Sequence, residues 1–567
     1  MKKIVCLLLT AVMLLGCVAA LASCASKDDG AVINVYLGNE ICDFDPTDYY
    51  VDSNAEEVMG LLFDTLFTID EDGDVKCSGA KKYDVIESKR QIVITLRESY
   101  WSDGVRVKAS DYIYAWCERL LNPNNPNPAA ALLYDVENAI AVKDGSATVA
   151  DVGAIATDVF EITITYRYGA DYEQLIRNLA SVATAAVKQD AVALNPNTWS
   201  KNGATRVFNG PFTIDEYDHE TGEFTLVRNI GYHQGLDEKN YTDEVIPGKL
   251  VSFFTANGDA IVASYADIES KAKFYVGDAS LADRVANKDK AVVADDTSVY
   301  TYVFNTKKPL FSDSRVRKAL SVAIDRNAII AAITFGKAAN GFIPDVSGGS
   351  SAALISASSD VAAAEALLAE VDLSSYDKRF TLAINNDEES RVIAEIVKAS
   401  WEALGFDIEI VYLENVVVGD YYDSGVQVAV KEASFANYDF DVLAVDWQTY
   451  SNDAFVGLSS MTTKLNGCGV DFSTGFARNN ITGWSNIEYD ELINAAYKTS
   501  DGAKRAQYLA DAEELLVESS PIVPLVFNQS FAFIGEDLSD VYFDGFGNIC
   551  LTEADLKNYE NYLPNEE

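Results

Sequence analysis

Histidine is nearly absent from this sequence: its 567 residues include only His219 and His233. Neither has the spacing of a metal-binding pair, and no HExxH motif occurs. The sequence also lacks a GxSxG nucleophile elbow, a P-loop and a complete GxGxxG fingerprint. These absences favour binding over catalysis. We therefore expect a protein that is not an enzyme, needs no cofactor and has no metal site.

Basic residues are scarce as well. There are 44 Lys and Arg against 87 Asp and Glu, so the formal net charge is −43. Such a chain repels the phosphate backbone of nucleic acids, and we expect no nucleic-acid partner. It has no electrostatic attraction to anionic lipid headgroups either, so membrane attachment would have to be covalent. Solubility explains this acidity more simply than an acid-lined site does.

Long apolar runs are missing except at the N-terminus. Two lysines precede an apolar stretch over residues 4–20, and Leu-Ala-Ser-Cys follows. This pattern is typical of a secretory signal peptide, which we assign to residues 1–23; the run is short for a membrane-spanning helix, the alternative. The last four residues resemble a bacterial lipobox, which implies that Cys24 is lipidated. Two acyl chains would anchor the protein, with residues 24–30 as a polar tether.

The remaining cysteines do not form a recognisable framework. After cleavage and lipidation five are left, widely spaced and without a CxxC pair: Cys42, Cys77, Cys117, Cys468 and Cys550. The number and spacing indicate neither a disulfide scaffold nor a zinc site. We expect mostly buried thiols, with a Cys42–Cys77 disulfide left open.

Strand-like and helical segments alternate along the rest of the chain. For example, residues 389–404 have helical spacing, Gly405 is placed to end that helix, and residues 407–413 alternate as a strand. The pattern predicts an α/β protein. We interpret Arg315, Arg317 and Arg326, which lie on predicted helices, as surface ion-pair residues.

Five segments, in order, resemble the bacterial extracellular solute-binding proteins of family 5, which include oligopeptide-, dipeptide- and nickel-binding proteins. The segments are 101–111 (WSDG followed by VKASD), 209–212 (NGPF), 304–326 (FNTKKP, VRKAL and AIDR), 484–492 (WSNIEYDEL) and 521–525 (PIVPL). Residues 112–123 look most like the oligopeptide-binding branch. In this family WSDG is a structural turn, so we expect Trp101 to pack in the core.

The resemblance implies a two-lobed, periplasmic-binding-protein-like α/β fold with an extra inserted domain and a ligand cleft between the lobes. The implied boundaries follow the signal peptide and tether. Domain I consists of residues 31–70, 205–300 and 521–567, domain II of residues 71–204, and domain III, the opposing lobe, of residues 301–520.

The implied function is capture of oligopeptides by cleft closure and delivery to the permease of an ATP-driven (ABC) importer. The protein would be a monomer, lipid-anchored on the extracytoplasmic face of a bacterial membrane. Three alternatives stay open. The solute could be a sugar, an opine or a metal complex, or the fold could serve as a surface peptide chaperone or receptor, or as a cell-wall enzyme.

The site residues implied by the resemblance lie in two places. Many peptide binders of the family have an aspartate three residues after a domain III tryptophan, where it pairs with the ligand's α-amino group. Here that tryptophan matches Trp447, but Tyr450 stands at the aspartate position. Asp446 or Asp453 could substitute for it.

The second place is a loop near the start of domain I. Tyr49, Tyr50 and Asp52 occupy the stretch where peptide binders often carry an acid that faces the ligand. We include all three among the candidate ligand-binding residues, because aromatic side chains with polar tips suit a wet, tolerant cleft.

Overall fold

The structure, a computed structural model, describes residues 32–39, 43–47, 53–196, 199–200, 206–218, 223–233, 245–255, 275–277, 280–350, 352–413, 416–418, 421–423, 439–471 and 476–557. The predicted signal peptide, Cys24 and the tether lie outside these residues. Within the described part, no helix combines the length and apolar character needed to cross a membrane.

The described elements of the N-terminal half are mainly strands and short helices. In chain order they are β1 (Val32–Asn39), α1 (Ser53–Leu62), β2 (Phe67–Ile69), β3 (Val75–Cys77), β4 (Ala80–Ile86), β5 (Gln91–Leu96), α2 (Ala109–Ile113, continued as a π-helix over Tyr114–Leu120), α3 (Ala139–Lys143), β6 (Ala154–Asp158), β7 (Glu161–Thr165), α4 (Tyr172–Asn178), α5 (Gln189–Leu194), β8 (Phe212–Asp218), β9 (Glu223–Arg228), β10 (Lys249–Thr255), β11 (Tyr275–Gly277), α6 (Leu281–Asn287) and β12 (Val292–Phe304).

The C-terminal half is richer in helix. Its elements are α7 (Pro309–Ser312), α8 (Ser314–Val322), α9 (Arg326–Ile333), β13 (Lys337–Ala338), α10 (Val361–Ala369), β14 (Arg379–Asn385), α11 (Glu388–Ala403), β15 (Asp407–Leu413), β16 (Val416–Val418), β17 (Tyr421–Asp423), β18 (Val442–Gln448), α12 (Ala454–Ser459), β19 (Val470–Asp471), β20 (Phe476–Ala477), α13 (Ile487–Lys498), α14 (Gly502–Ser519), β21 (Ile522–Ile534), β22 (Leu538–Ser539), β23 (Tyr542–Phe543), β24 (Ile549–Cys550) and β25 (Asp555–Leu556).

Eleven of the described strands form one mixed sheet. Their order is β15-β14-β18-β12-β21-β11-β1-β10-β9-β8, and β13 pairs with β21. We call the half with β1 and β8 to β11 the first lobe, and the half with β14, β15 and β18 the second lobe. Parallel pairs in both halves, with helices in the connections, confirm the predicted α/β class.

Two long strands join the lobes. β12 and β21 have 13 residues each; residues 292–295 of β12 pair with 529–532, and residues 299–303 pair with 522–527. Between these stretches the ladder is interrupted, and Asn528 faces residues 296–298 in a β-bulge. The chain enters the second lobe along β12 and leaves it along β21, so the bulge lies where a hinge would bend.

A separate four-stranded sheet, β4-β5-β7-β6, belongs to the predicted inserted domain. The WSDG turn lies beside it. Trp101 is 1% exposed, and its Nε1–H donates to Asp111 Oδ2 at 3.1 Å. Gly104 adopts the left-handed conformation, with φ of +81°, that closes the turn. The prediction that Trp101 packs in the core is confirmed.

Two apolar clusters lie on opposite faces of the second-lobe sheet. Tyr300 and Tyr302 of β12 belong to the cluster beneath α8 to α11. Val299 and Trp447 belong to a larger cluster, which extends into the first lobe and the inserted domain. Because side chains alternate along a strand, neighbouring residues of β12 and β18 serve different clusters.

The interpretation of the domain III arginines was wrong for two of the three. Arg315 does pair with Asp313 at 2.7 Å, but Arg317 is 3% exposed and Arg326 is fully buried. Arg317 donates to the carbonyls of Ser519 and Ser520, just before β21, and Arg326 donates to the carbonyl of Pro524 within it. These buried guanidinium groups hold the start of a lobe-crossing strand.

The described cysteines are free thiols. Cys117 and Cys468 are buried, as expected, whereas Cys77 and Cys550 are only half-buried. Burial raises the pKa of Cys117 to about 12 and that of Cys468 to about 11, so neither is reactive at neutral pH. Cys42 lies outside the described residues.

Candidate functional site

The candidate site surrounds the C-terminal end of β18, where the second-lobe sheet approaches the lobe-crossing strands. Asp446 lies opposite Tyr300 of β12, and Trp447 lies opposite Val299. Alternation therefore points these two predicted site residues to opposite faces of the sheet. Although they are adjacent in the sequence, they do not belong to one cluster of site residues.

Trp447 is 1% exposed, and its indole Nε1–H has no hydrogen-bond partner among the described residues. A buried donor without an acceptor costs about 1–3 kcal/mol, and a ligand that supplies the acceptor would remove this cost. The next residues turn sharply, because Tyr450, also buried, adopts a positive φ of +58°. This strained turn directs the loop after β18 away from the sheet.

Asp446 belongs to a polar group at the β-bulge. Asn528 Nδ2 donates to Asp446 Oδ1 at 3.0 Å and to Ser298 Oγ at 2.8 Å. Asp296 accepts the amide of Ser298 at 2.9 Å. Burial raises the pKa of Asp296 to about 7; its hydrogen bonds with Ser298 oppose this shift, and the negative charge of Asp446 adds to it. Two carboxylates are thus held side by side at the hinge.

Asp453 is arranged differently. Its carboxylate forms a two-pronged ion pair with Arg505, with N–O distances of 2.9 and 2.6 Å. It also accepts the Phe455 amide at 3.1 Å and so caps α12. Both oxygens of Asp453 are therefore bound to Arg505, and a ligand's amino group would have to displace this ion pair.

The residues predicted in the first-lobe loop, Tyr49, Tyr50 and Asp52, lie outside the described residues. Their flanks are described. Asp45 pairs with Arg119, and the carbonyl of Thr47 accepts the Asn127 amide at 3.0 Å. On the other side of the loop, α1 contacts β18. Both ends of this segment are therefore held, one beside the inserted domain and one beside the candidate site.

β18 has a strand edge that its neighbours leave open. Its pairing with β14 includes only Val442 and Leu443, whereas its pairing with β12 continues to Gln448. Among the described strands, none pairs with the last five residues of β18 on the β14 side. Such an edge can accept an extended chain as an added strand.

His233 lies in a different part of the molecule, beside a cavity of about 550 Å³ between the first lobe and the inserted domain. Its Nε2 is 2.9 Å from Asp64 Oδ2, and both side chains are buried. Ser78 donates to the other oxygen of Asp64 at 2.5 Å. His233 is therefore a buried histidine that Asp64 pairs within the fold; His219 lies outside the described residues.

The family model described as bacterial extracellular solute-binding proteins, family 5 (middle region) matches residues 76–467. The chain belongs to this family. The resemblance carried by the five sequence segments is therefore confirmed, and the family is one of solute-binding proteins.

Relatives with assigned functions cover most of the chain. The oligopeptide-binding protein OppA of Bacillus subtilis is 26% identical over 531 residues, 89% of each chain. The dipeptide-binding protein DppE of the same organism is 25% identical over 538 residues, 92% of each chain. The solved structure of Haemophilus influenzae OppA in complex with RPPGFSPFR superposes with a TM-score of 0.76 at 20% identity, over 93% of this chain and 99% of the other. The predicted two-lobed fold is confirmed.

Sequence reasoning did not identify Asp296 and Asn528. Asp296 follows Asp295 in a polar stretch that looks like the end of a loop, and in a chain with 87 carboxylates it carries no distinguishing signal. Asn528 is 230 residues from Ser298, its partner in the structure. Only pairing of the two long strands brings these side chains to Asp446.

Proposed function

We propose that this family 5 protein is the extracytoplasmic binding component of an ATP-driven importer, and that it captures peptides between its lobes for delivery to the membrane permease. Relatives named for oligopeptide and dipeptide binding support the peptide class. Anchoring through a lipid on Cys24 is part of the proposal and rests on the lipobox resemblance. We propose a monomer with the domain boundaries given above.

The observation that carries the proposal is the buried, unpartnered Nε1–H of Trp447 beside the open edge of β18. An extended peptide on this edge would pair with backbone groups, which provides affinity without reading sequence. A ligand oxygen could accept the indole N–H and remove the cost of leaving it unpaired. Tyr49, Tyr50 and Asp52 are proposed as further ligand contacts, on the family resemblance alone.

We further propose that Asp446 takes the role of the missing amine-anchoring aspartate, with Asp296 beside it. Two neighbouring carboxylates at a hinge repel each other, and an ammonium group between them would remove that repulsion. At Asp453 an ammonium group would have to displace Arg505 from its ion pair. In this arrangement the ligand's amino group binds where the lobes join.

Closure would follow from the strand geometry. The bulge in β12 and β21 allows the lobes to rotate, and ligand contacts on both sides favour the closed form. The importer would then recognise a population shift that the ligand produces.

Native mass spectrometry of the protein expressed from Ala25 tests this proposal, with the protein as purified and after exposure to a mixed peptide pool. We expect added masses of short peptides in the wild type and about ten-fold weaker binding in Trp447→Phe, which loses one buried hydrogen bond to the ligand. Trp116→Phe is the matched control, because Trp116 Nε1 donates to the Thr184 carbonyl at 2.7 Å inside the inserted domain.

The contradicting outcome is a spectrum without peptide adducts, or equal losses in the two variants. A bare spectrum would favour the second candidate, capture of a non-peptide solute such as a sugar, an opine or a metal complex. Tyr450 at the usual aspartate position is the observation that favours this candidate, because a neutral solute needs no amine anchor. Binding of unfolded protein in the same assay would indicate a chaperone. A change in the mass of the ligand would indicate an enzyme.

A further inference from the structure

The inserted domain contacts the second lobe at a surface away from the lobe-crossing strands. The chain enters the second lobe along β12 and leaves along β21, whereas the inserted domain lies between β3 and β8 in the first part of the chain. The contact between them is therefore non-covalent. A rotation about the hinge can make or break it.

Part of the contact joins two backbones. The Val470 amide donates to the Pro123 carbonyl at 2.8 Å. The loop before it rests on the same proline-rich segment so closely that a Cβ on Gly467 would lie 2.6 Å from Pro128 Cα, and one on Gly469 would overlap Pro123. Only glycine permits this approach, and both glycines also have positive φ. The two surfaces are shaped to fit each other.

Polar side chains extend the contact. Tyr497 Oη of α13 donates to the Tyr134 carbonyl at 3.1 Å, and Ser451 Oγ donates to Asn178 Oδ1 at 2.7 Å. Ser451 belongs to the loop between Trp447 and α12, so the inserted domain holds the same loop that leads away from the candidate site.

The charged residues on each side of the contact form ion pairs within their own domain. Arg167 pairs with Asp135 at 2.6 Å in the inserted domain, and Arg505 pairs with Asp453 at 2.6 Å in the second lobe. The Arg167 guanidinium also lies over the Tyr497 ring, 3.9 Å from its centroid. Since each carboxylate has its own arginine, neither opening nor closing exposes an uncompensated charge.

We propose that the inserted domain acts as a latch that favours the closed arrangement of the lobes before any ligand binds. The latch consists of the Tyr497–Tyr134, Ser451–Asn178 and Val470–Pro123 hydrogen bonds and the Arg167–Tyr497 stacking. Each is a neutral or already compensated contact that water can replace when the lobes separate. Such contacts shift the open–closed equilibrium towards the closed form without making it permanent. A ligand then has to supply less binding free energy to close the lobes.

Hydrogen exchange of the Val470 amide in ligand-free protein tests the latch, because this N–H crosses the contact. We expect Tyr497→Phe to increase its exchange rate about five-fold, the factor that one ordinary hydrogen bond contributes. Tyr489→Phe is the matched control, because Tyr489 Oη donates to the Leu458 carbonyl at 2.6 Å within the second lobe. Ser451→Ala should act as Tyr497→Phe does.

Two results would overturn the latch: a Val470 amide that exchanges in the wild type as fast as an unprotected amide, or equal rates in Tyr497→Phe, Ser451→Ala and Tyr489→Phe. No ligand is present in this measurement. Its outcome is therefore independent of whether the bound solute is a peptide.

Discussion

Trp101 and Trp447 are equally buried, yet their surroundings differ. Trp101 donates to Asp111, which also accepts the Lys108 amide at 3.0 Å. Trp447 has an indole N–H without a partner in the described part of the protein. The indole N–H of Trp101 has its acceptor within the fold. The indole N–H of Trp447 is left for an acceptor that the described residues do not provide.

The acids beside the two tryptophans show the same contrast. Burial raises the pKa of Asp111, and hydrogen bonds from Lys108 and Trp101 lower it. Burial also raises the pKa of Asp296, and its hydrogen bonds with Ser298 lower it, but the negative charge of Asp446 adds to the increase. Both acids therefore have donors that the fold provides. What distinguishes Asp296 is the second carboxylate, as expected where a cationic group binds.

The largest expected effect is on protein stability, at Trp101. Trp101→Ala removes a buried ring and leaves Asp111 without one of its donors, so the free energy of unfolding should fall by about 3–5 kcal/mol. Urea unfolding followed by tryptophan fluorescence measures this change. Ligand affinity of the folded fraction should not change. A loss below about 1 kcal/mol would mean that the turn is not structural.

A smaller effect of opposite sign is expected at the hinge. Asp296 has a folded-state pKa of about 7, above its ordinary value, so the fold favours the neutral acid and loses stability as pH rises from about 4 to 7. A shift of three units corresponds to at most ~4 kcal/mol, and we expect about half of this, since Asp296 is partly exposed. Asp296→Asn should therefore stabilise the protein by about 2 kcal/mol at pH 8 and hardly at pH 4.5.

Asp111→Asn is the control for this measurement. It replaces a carboxylate that accepts two N–H groups, so it should destabilise the protein at pH 8. If both variants were stabilised at pH 8, the contrast between the two acids would be lost. The urea midpoints of the wild type and both variants at pH 8 and pH 4.5 measure these changes in stability.

The smallest expected effect is on binding. If Asp446 and Asp296 hold the ligand's amino group, affinity should fall about five-fold between pH 7.5 and pH 5.5, as Asp296 becomes protonated. An N-acetylated peptide of the same sequence carries no amino charge at that end and should show no such fall. Isothermal titration calorimetry at both pH values measures the difference. Equal pH dependence of the two peptides would contradict the amine site.

Much of the fold could be predicted from local sequence. The helix predicted at 389–404 is α11, Gly405 ends it with φ of +87°, and the strand predicted at 407–413 is β15. Periodicity and capping are properties of neighbouring residues, so they are readable without the fold. The length of the lobe-crossing strands is harder to read from local sequence. β12 extends from Val292 to Phe304, but the polar residues at its bulge interrupt the alternation.

The candidate site was predicted in part. The sequence indicated Trp447 and Asp446, but their opposite directions appear only when β18 is placed in the sheet. It offered Asp453 as a substitute acid without showing that Arg505, in a different helix, engages it. The contributions of Tyr49, Tyr50 and Asp52 stay predictions.

The sequence by itself determined the class of the protein, through five ordered segments, and several of its helices and strands, because these depend on residues that are close along the chain. Only the tertiary structure decided which polar groups are paired. Arg317 and Arg326 are buried against the start of β21, and Asp296 meets Asp446 through two long strands. Whether a buried charge is satisfied depends on atoms from distant segments. The same holds for a buried N–H donor. The energetic cost of the unpaired indole N–H distinguishes Trp447, where we propose that a ligand binds, from Trp101.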